Sequence, residues 1–195
     1  MENNLDINAN SWKTIQQAIH NMVQTLHNQL GWFSKEELDN TPTRITEFYR
    51  EMYNNHEFKF TTFPSVEDSM IVVSNIELYS LCAHHMLPFY GKASVAYLPS
   101  KTGGMAGVSK IARAVVKVAS KPQTQEYLTR EVVDELMHQL SPLFVMVKVQ
   151  AEHLCMRMRG IKQQESLVVT SSLYVHESMK NELSTLKDEA MGMMQ

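Results

Sequence analysis

Val145, Val147, Val149 and Ala151 alternate with Met146, Lys148, Gln150 and Glu152. A period of two is the mark of a β-strand whose odd-numbered side chains share one face, so the fold must contain a sheet built around this stretch. Read as a strand from about Phe144 to Met156, it sends His153 and Cys155 the same way. Cys155 is one of two cysteines in 195 residues. The other, Cys82, stands in C-x-x-H relation to His85, a spacing that lets a thiolate and an imidazole turn onto one ion, each roughly 2.0 to 2.3 Å from a zinc. Two thiolates and one imidazole make three protein ligands. A tetrahedral zinc held by three keeps a fourth position for water, the catalytic rather than the structural arrangement. The blander reading makes both cysteines small buried hydrophobes and the histidines ordinary core or surface residues. Two Cys-His pairs in one chain weigh against it, and His84 and His153 are left as neighbours of the ligands.

A formal charge of -3 leaves no general basic surface, which excludes nucleic acid as an obvious partner while allowing a local pocket for a phosphorylated small molecule. The length suits one domain with a core of its own, perhaps with an appended helical segment; we divide it as an N-terminal helical segment, 1–60, and a catalytic unit, 61–195. Two cysteines make no disulfide framework and fit a reducing compartment. No stretch approaches the roughly 20 apolar residues of a membrane span, and the polar start Met1-Glu2-Asn3-Asn4 has no basic region leading into an apolar run. The expectation is a cytoplasmic protein, neither exported nor anchored.

Along the chain, Ser11 is the expected cap of an amphipathic helix carrying Trp12, Ile15, Ile19, Met22, Val23, Leu26 and Leu30. A short helix starts at Ser34, and Thr41-Pro42 opens a third. From Ser69 the period becomes two: Met70 to Ser74, Ile76 to Cys82 and Gly91 to Leu98 read as strands. Ser109 caps a helix that buries Ile111, Ala112, Val115 and Val118, and Thr124 caps the next, with Tyr127, Leu128, Val132, Leu136 and Leu140 on its apolar face. Strands at about 144–156 and 167–175 and a charged C-terminal helix complete an α+β pattern of mostly antiparallel hairpins. Lys110, Arg113 and Lys117 share one helix face beside an amide-rich helix start, which suits an anion as well as it suits a solvated basic face.

Four blocks now fall in order: C-x-H-H-x-x-P-F-x-G from Cys82, G-x-S-K-x-A-R from Gly107, P-Q-x-Q-E-x-L-T from Pro122 and H-x-C-M-x-x-R-G from His153. In combination they resemble GTP cyclohydrolase I, the zinc-dependent hydrolase that opens pterin synthesis. The resemblance implies the tunnelling fold, with N-terminal helices, a four-stranded sheet and two helices between strand pairs. It implies one zinc per chain on Cys82, His85 and Cys155, lowering a water pKa from about 15.7 toward 7. Proton transfer would fall to His153 at the purine N7 and to His84 in later steps, helped by Ser109. Lys110, Arg113, Arg159 and Arg44 would hold the triphosphate, and Glu126, with Gln125 beside it, the guanine ring. GTP would lose C8 as formate and close to dihydroneopterin triphosphate. The family also implies a homo-oligomer, a decamer of two pentamers.

The chain departs from the family at Ala83, where a glutamate is usual, at Phe144, often glycine, and at Tyr174-Val175-His176. Two rival readings use the same residues. One is another tunnelling-fold enzyme of pterin or 7-deazaguanine synthesis, against which Lys110, Arg113 and Arg159 argue for a triphosphate. The other is a noncatalytic paralogue with a structural zinc, against which His84, His153 and Ser109 argue.

Overall fold

Asn8, not Ser11, begins the first helix. Its Oδ1 accepts from the amides of Asn10 and Ser11 at 3.0 and 3.1 Å, satisfying two of the donors that every helix start leaves open. Helix α1 therefore runs Ala9–Leu30, ending at Gly31, whose φ of 67° lets its N–H reach His27 O at 2.8 Å. The two helices expected next are one, α2 (Lys35–Asn54), with Pro42 inside it. Ser34 and Glu37 close a reciprocal capping box: Ser34 N–H donates to Glu37 Oε2 at 2.7 Å and Glu37 N–H to Ser34 Oγ at 3.3 Å. These bonds hold the Glu37 carboxyl below its ordinary range. Helix α2 carries through Pro42 because Leu38, Pro42, Ile45, Thr46 and Tyr49 form one unbroken stripe, with Pro42 and Thr46 buried. Helix α1 packs against α2, and Trp12 meets Tyr53 edge-on at 5.9 Å.

A computed structural model describes residues 8–54, 58–64 and 69–194, and the chain divides into two compact units, Met1–Asn55 and His56–Gln195. The polar start, Met1 to Asn4, lies outside the described residues. No helix among the described residues is long and apolar enough to cross a membrane.

The second unit is built on a sheet. After β1 (Thr62–Phe63) come β2 (Ile71–Cys82), β3 (Pro88–Leu98) and β4 (Met105–Ala106), which pairs only with β1. Helix α3 (Val108–Ala119), β5 (Pro122–Gln123) and α4 (Gln125–Leu140) follow, then β6 (Phe144–His153), the single turn α5 (Leu154–Arg157) and β7 (Val168–Val175). A 3-10 turn, Glu177–Glu182, leads into α6 (Leu183–Met193). The sheet order is β5-β2-β3-β6-β7, antiparallel except where β5 lies parallel to the end of β2. To the four strands that the resemblance implies it thus adds a two-residue fifth.

The two strands expected at Met70–Ser74 and Ile76–Cys82 are one, broken in register by a bulge between Val73 and Ile76. Asn75 takes the left-handed backbone there, φ 59°, a conformation asparagine tolerates better than most residues. The strand expected to reach Met156 stops at His153. Ser109 is not a cap: α3 starts at Val108 after Gly107, with no side-chain bond to its open amides.

Each face of the sheet carries its own core. On one, Val145, Val147, Val149 and Ala151 pack with Leu78, Phe89, Val95 and Tyr97 against Ile111 and Val115 of α3 and Leu128, Val132 and Leu136 of α4. Each such large side chain contributes about 1.5–3 kcal/mol. Tyr127, expected on that side, is 69% exposed; Gln125, Thr129 and Val133 are buried. On the other face, Ala96, Leu98, Phe144 and Met146 pack against Leu186 and Ala190 of α6. Phe144 is fully buried there, a placement a glycine could not fill. Tyr174 joins the first core, Val175 the second, and His176 accepts from Ser178 N–H to start the 3-10 turn.

Candidate active site

Strand β2 ends on Cys82, which is 5% exposed, and the chain reverses at once. Cys82 N–H donates to Leu87 O at 2.8 Å, and Cys82 O accepts from Met86 N–H at 2.8 Å and from His85 N–H at 3.2 Å. Met86 closes this turn at φ 54°, unfavourable for a residue with a Cβ. The reversal folds both imidazoles back on the thiol, with Cys82 Sγ 3.8 Å from His85 Nδ1 and 3.9 Å from His84 Nδ1.

The second half of the site comes from β6. Its register with β3 sets His153 opposite Phe89 and Glu152 opposite Tyr90. The His153 and Phe89 rings stack at 4.6 Å with 2° between their planes, and His153 Nε2 lies 2.8 Å from Gln125 Oε1. Gly91 keeps β3 and β6 close here, since a Cβ on it would meet Gln150 O at 2.0 Å. Beyond His153 the chain turns into α5, so Cys155 reaches the site from a helical turn and not by strand parity. That turn is stapled to the sheet: Arg157 pairs with Glu152, whose Oε2 also accepts from Tyr90 Oη at 2.8 Å.

Cys82, His85 and Cys155 come together, their donor atoms all within 4.8 Å of one another. A tetrahedral metal with donors at about 2.0–2.3 Å holds them about 3.3–3.8 Å apart, so small rotations complete the set. Two soft sulfurs and an imidazole suit a thiophilic divalent ion. Burial, and then the neighbouring Cys82 sulfur, push the Cys155 thiol up, while Arg159 pulls it down. Arg159 Nη1 also stands 2.8 Å from His85 Nε2.

Burial lowers the pKa of His153, and the charge of Glu126 opposes this. Glu126 itself is exposed in the first turn of α4. Ser109, Lys110 and Arg113 lie in the first two turns of α3, Ser109 and Arg113 exposed, and among the described residues neither basic group has an ion-pair partner. Lys117 is taken by Glu135 of α4 at 3.0 Å, which settles it as a packing contact. Arg44 is exposed on α2 in the N-terminal unit, close enough for its charge to act on Glu37.

A family model described as GTP cyclohydrolase I matches residues 15–194. The chain belongs to the GTP cyclohydrolase I family. Proteins named GTP cyclohydrolase 1 from Pelotomaculum thermopropionicum and a Sulfurihydrogenibium species are 43% and 46% identical to it, over 71% and 72% of this chain and 76% and 75% of theirs. Another, from Brevibacillus brevis, is 39% identical over 82% of this chain and 86% of its own length. The fold, α+β with the antiparallel sheet described above, is the tunnelling fold of this family.

Phe89, Tyr90, Glu152 and Arg157 carry no chemistry that sequence reasoning looks for, yet they fix the ring and the helical turn of the site. Their signal is register: once β3 and β6 are paired through Val95 and Val147, both contacts follow.

Proposed function

We propose that this chain is a GTP cyclohydrolase I: it hydrolyses the imidazole ring of GTP, releases C8 as formate and forms 7,8-dihydroneopterin triphosphate, an entry to pterin and folate synthesis. The observation that carries the reading is the convergence of Cys82, His85 and Cys155, together with a histidine, two residues before Cys155, that is held on both its face and its edge. Two waters are consumed in opening C8 and freeing it, and one is returned when the pterin ring closes.

Zinc is the ion the three donors would hold, and when bound it supplies a water acidic enough to yield hydroxide near neutral pH. His153 moves a proton onto the purine N7, the atom on which negative charge would otherwise build as water adds to C8. His84 carries protons in the later ribose rearrangement, with the Ser109 hydroxyl as its helper. Lys110, Arg113 and Arg159 meet the triphosphate with donors only, and the family resemblance adds Arg44. Glu126, an exposed acceptor, takes the N–H groups of the guanine edge.

The open outer edge of β7 favours assembly into a closed ring, a homo-oligomer of two stacked pentamers in a cytoplasmic setting that keeps both thiols reduced. The test is a formate assay and pterin fluorescence from GTP with and without added zinc, alongside metal analysis and light scattering. Formate without pterin, or neither, overturns the activity; a fully active monomer of 22.4 kDa overturns the ring.

A further inference from the structure

Gln125 is 1% exposed, an unusual place for a residue that would contact a substrate. Its amide nitrogen lies 3.2 Å from Val149 O, 3.0 Å from Val168 O and 3.1 Å from Thr170 Oγ1. Two of those partners are carbonyl oxygens, which only accept, so the amide cannot be flipped without setting oxygen against oxygen twice. The hydroxyls close the account. Thr129 Oγ1 donates its one hydrogen to Gln125 O at 2.8 Å, so in the 2.6 Å contact between the two threonines Thr170 must be the donor. Thr170 Oγ1 is then left to accept from Gln125. With its NH2 spent on three acceptors, Gln125 presents Oε1 alone to His153, 2.8 Å from Nε2.

We propose that Gln125 is a positioning residue that fixes the tautomer of His153, holding the proton on Nε2 and leaving Nδ1 as the one ring nitrogen that can exchange a proton with substrate. An amide oxygen can only accept, so the imidazole must donate from Nε2. The Phe89 ring, parallel within 2°, fixes the plane, and the hydrogen bond fixes rotation within it. Gln125 thus acts through His153, whereas its neighbour Glu126 is the exposed residue of the pair. The proposal rests on the reading of His153 as the group that handles the proton at N7.

The test is nitrogen NMR on the zinc-loaded protein labelled with 15N-histidine, with His153 assigned by its loss in His153→Asn. The expected spectrum has Nε2 protonated and Nδ1 bare. Gln125→Met, of equal length but without the acceptor, should give a mixture of tautomers. Its kcat should fall on the order of 10²-fold, as when proton transfer is misdirected, with KM for GTP unchanged within about twofold. A wild-type His153 protonated on Nδ1 overturns the proposal, as does a Gln125→Met protein whose KM rises while kcat holds. If that variant does not fold, the wild-type spectrum decides alone. Lack of formate release by the wild type would sink the activity and leave the tautomer readout standing, so the two failures are distinguishable.

Discussion

At the end of β6, His153 is stacked on Phe89, bonded to Gln125 and half-buried; in the turn after β2, His84 is exposed and, among the described residues, meets the Cys82 sulfur at 3.9 Å and the edge of His85 at 6.3 Å. Both are imidazoles close in sequence to the three donors, His84 next to His85 and His153 two residues before Cys155. One has its plane and rotation fixed by sheet and helix, while the other rides exposed on a turn. A group that must meet one atom of a rigid purine gains from being set in advance, because orientation then costs nothing at the moment of reaction. A group that serves a ribose changing shape gains from reach. On the roles proposed above, the contrast between the two histidines is one between an early, aimed step and later, less directed ones.

The strongest way to break this comparison is to remove a donor of the cluster itself. Cys155→Ala should lose its zinc and all turnover, read by metal analysis and the formate assay; full zinc and full activity would mean the cluster is not the site. Next, His153→Ala should keep zinc and lose formate release by roughly 10²–10⁴-fold, while His84→Ala should still release formate and fail to complete the pterin. Equal loss of formate in both would erase the distinction between an aimed and a free histidine. A smaller effect is expected from Phe89→Leu, which keeps an apolar side chain but withdraws the parallel ring. It should cost about 1–2 kcal/mol of stability in denaturant unfolding and lower kcat more than it changes KM. The smallest is a pH effect on the metal-depleted protein. Burial lowers the His153 pKa, so the unfolded chain takes up a proton that the folded one refuses. Stability is then whole above the ordinary histidine value of about 6.5 and falls as pH drops below it, and His153→Gln should flatten that slope in melting temperature.

Much of this was legible before the fold was known. The C-x-x-H turn, the alternation through Val149 and the caps around α4 are local patterns, and local patterns write themselves into sequence. Contacts set by long-range register do not. Nothing around Phe89 announces that His153 will lie opposite it 64 positions on, because the pairing is decided by the whole of β3 and β6. Parity was a sound guide as far as His153 and failed for Cys155, where α5 begins; the sulfur arrives by another path. Helix α2 misled for the opposite reason: the proline signal at Pro42 is strong locally, and an unbroken, partly buried stripe outweighs it.

The alternation of β6 has a further cost for its own descent. Its last two residues look to opposite sides, Glu152 to the staple with Tyr90 and Arg157, His153 to Phe89 and Gln125. Losing or gaining a single residue just before them, with the rest of the strand held in register, would exchange them, putting a carboxylate on the aromatic ring and an imidazole on the arginine, while Val145 to Ala151 keep their places. Point substitutions can explore this strand one position at a time. Only a change of two, or a bulge such as the one in β2, keeps both residues on their sides.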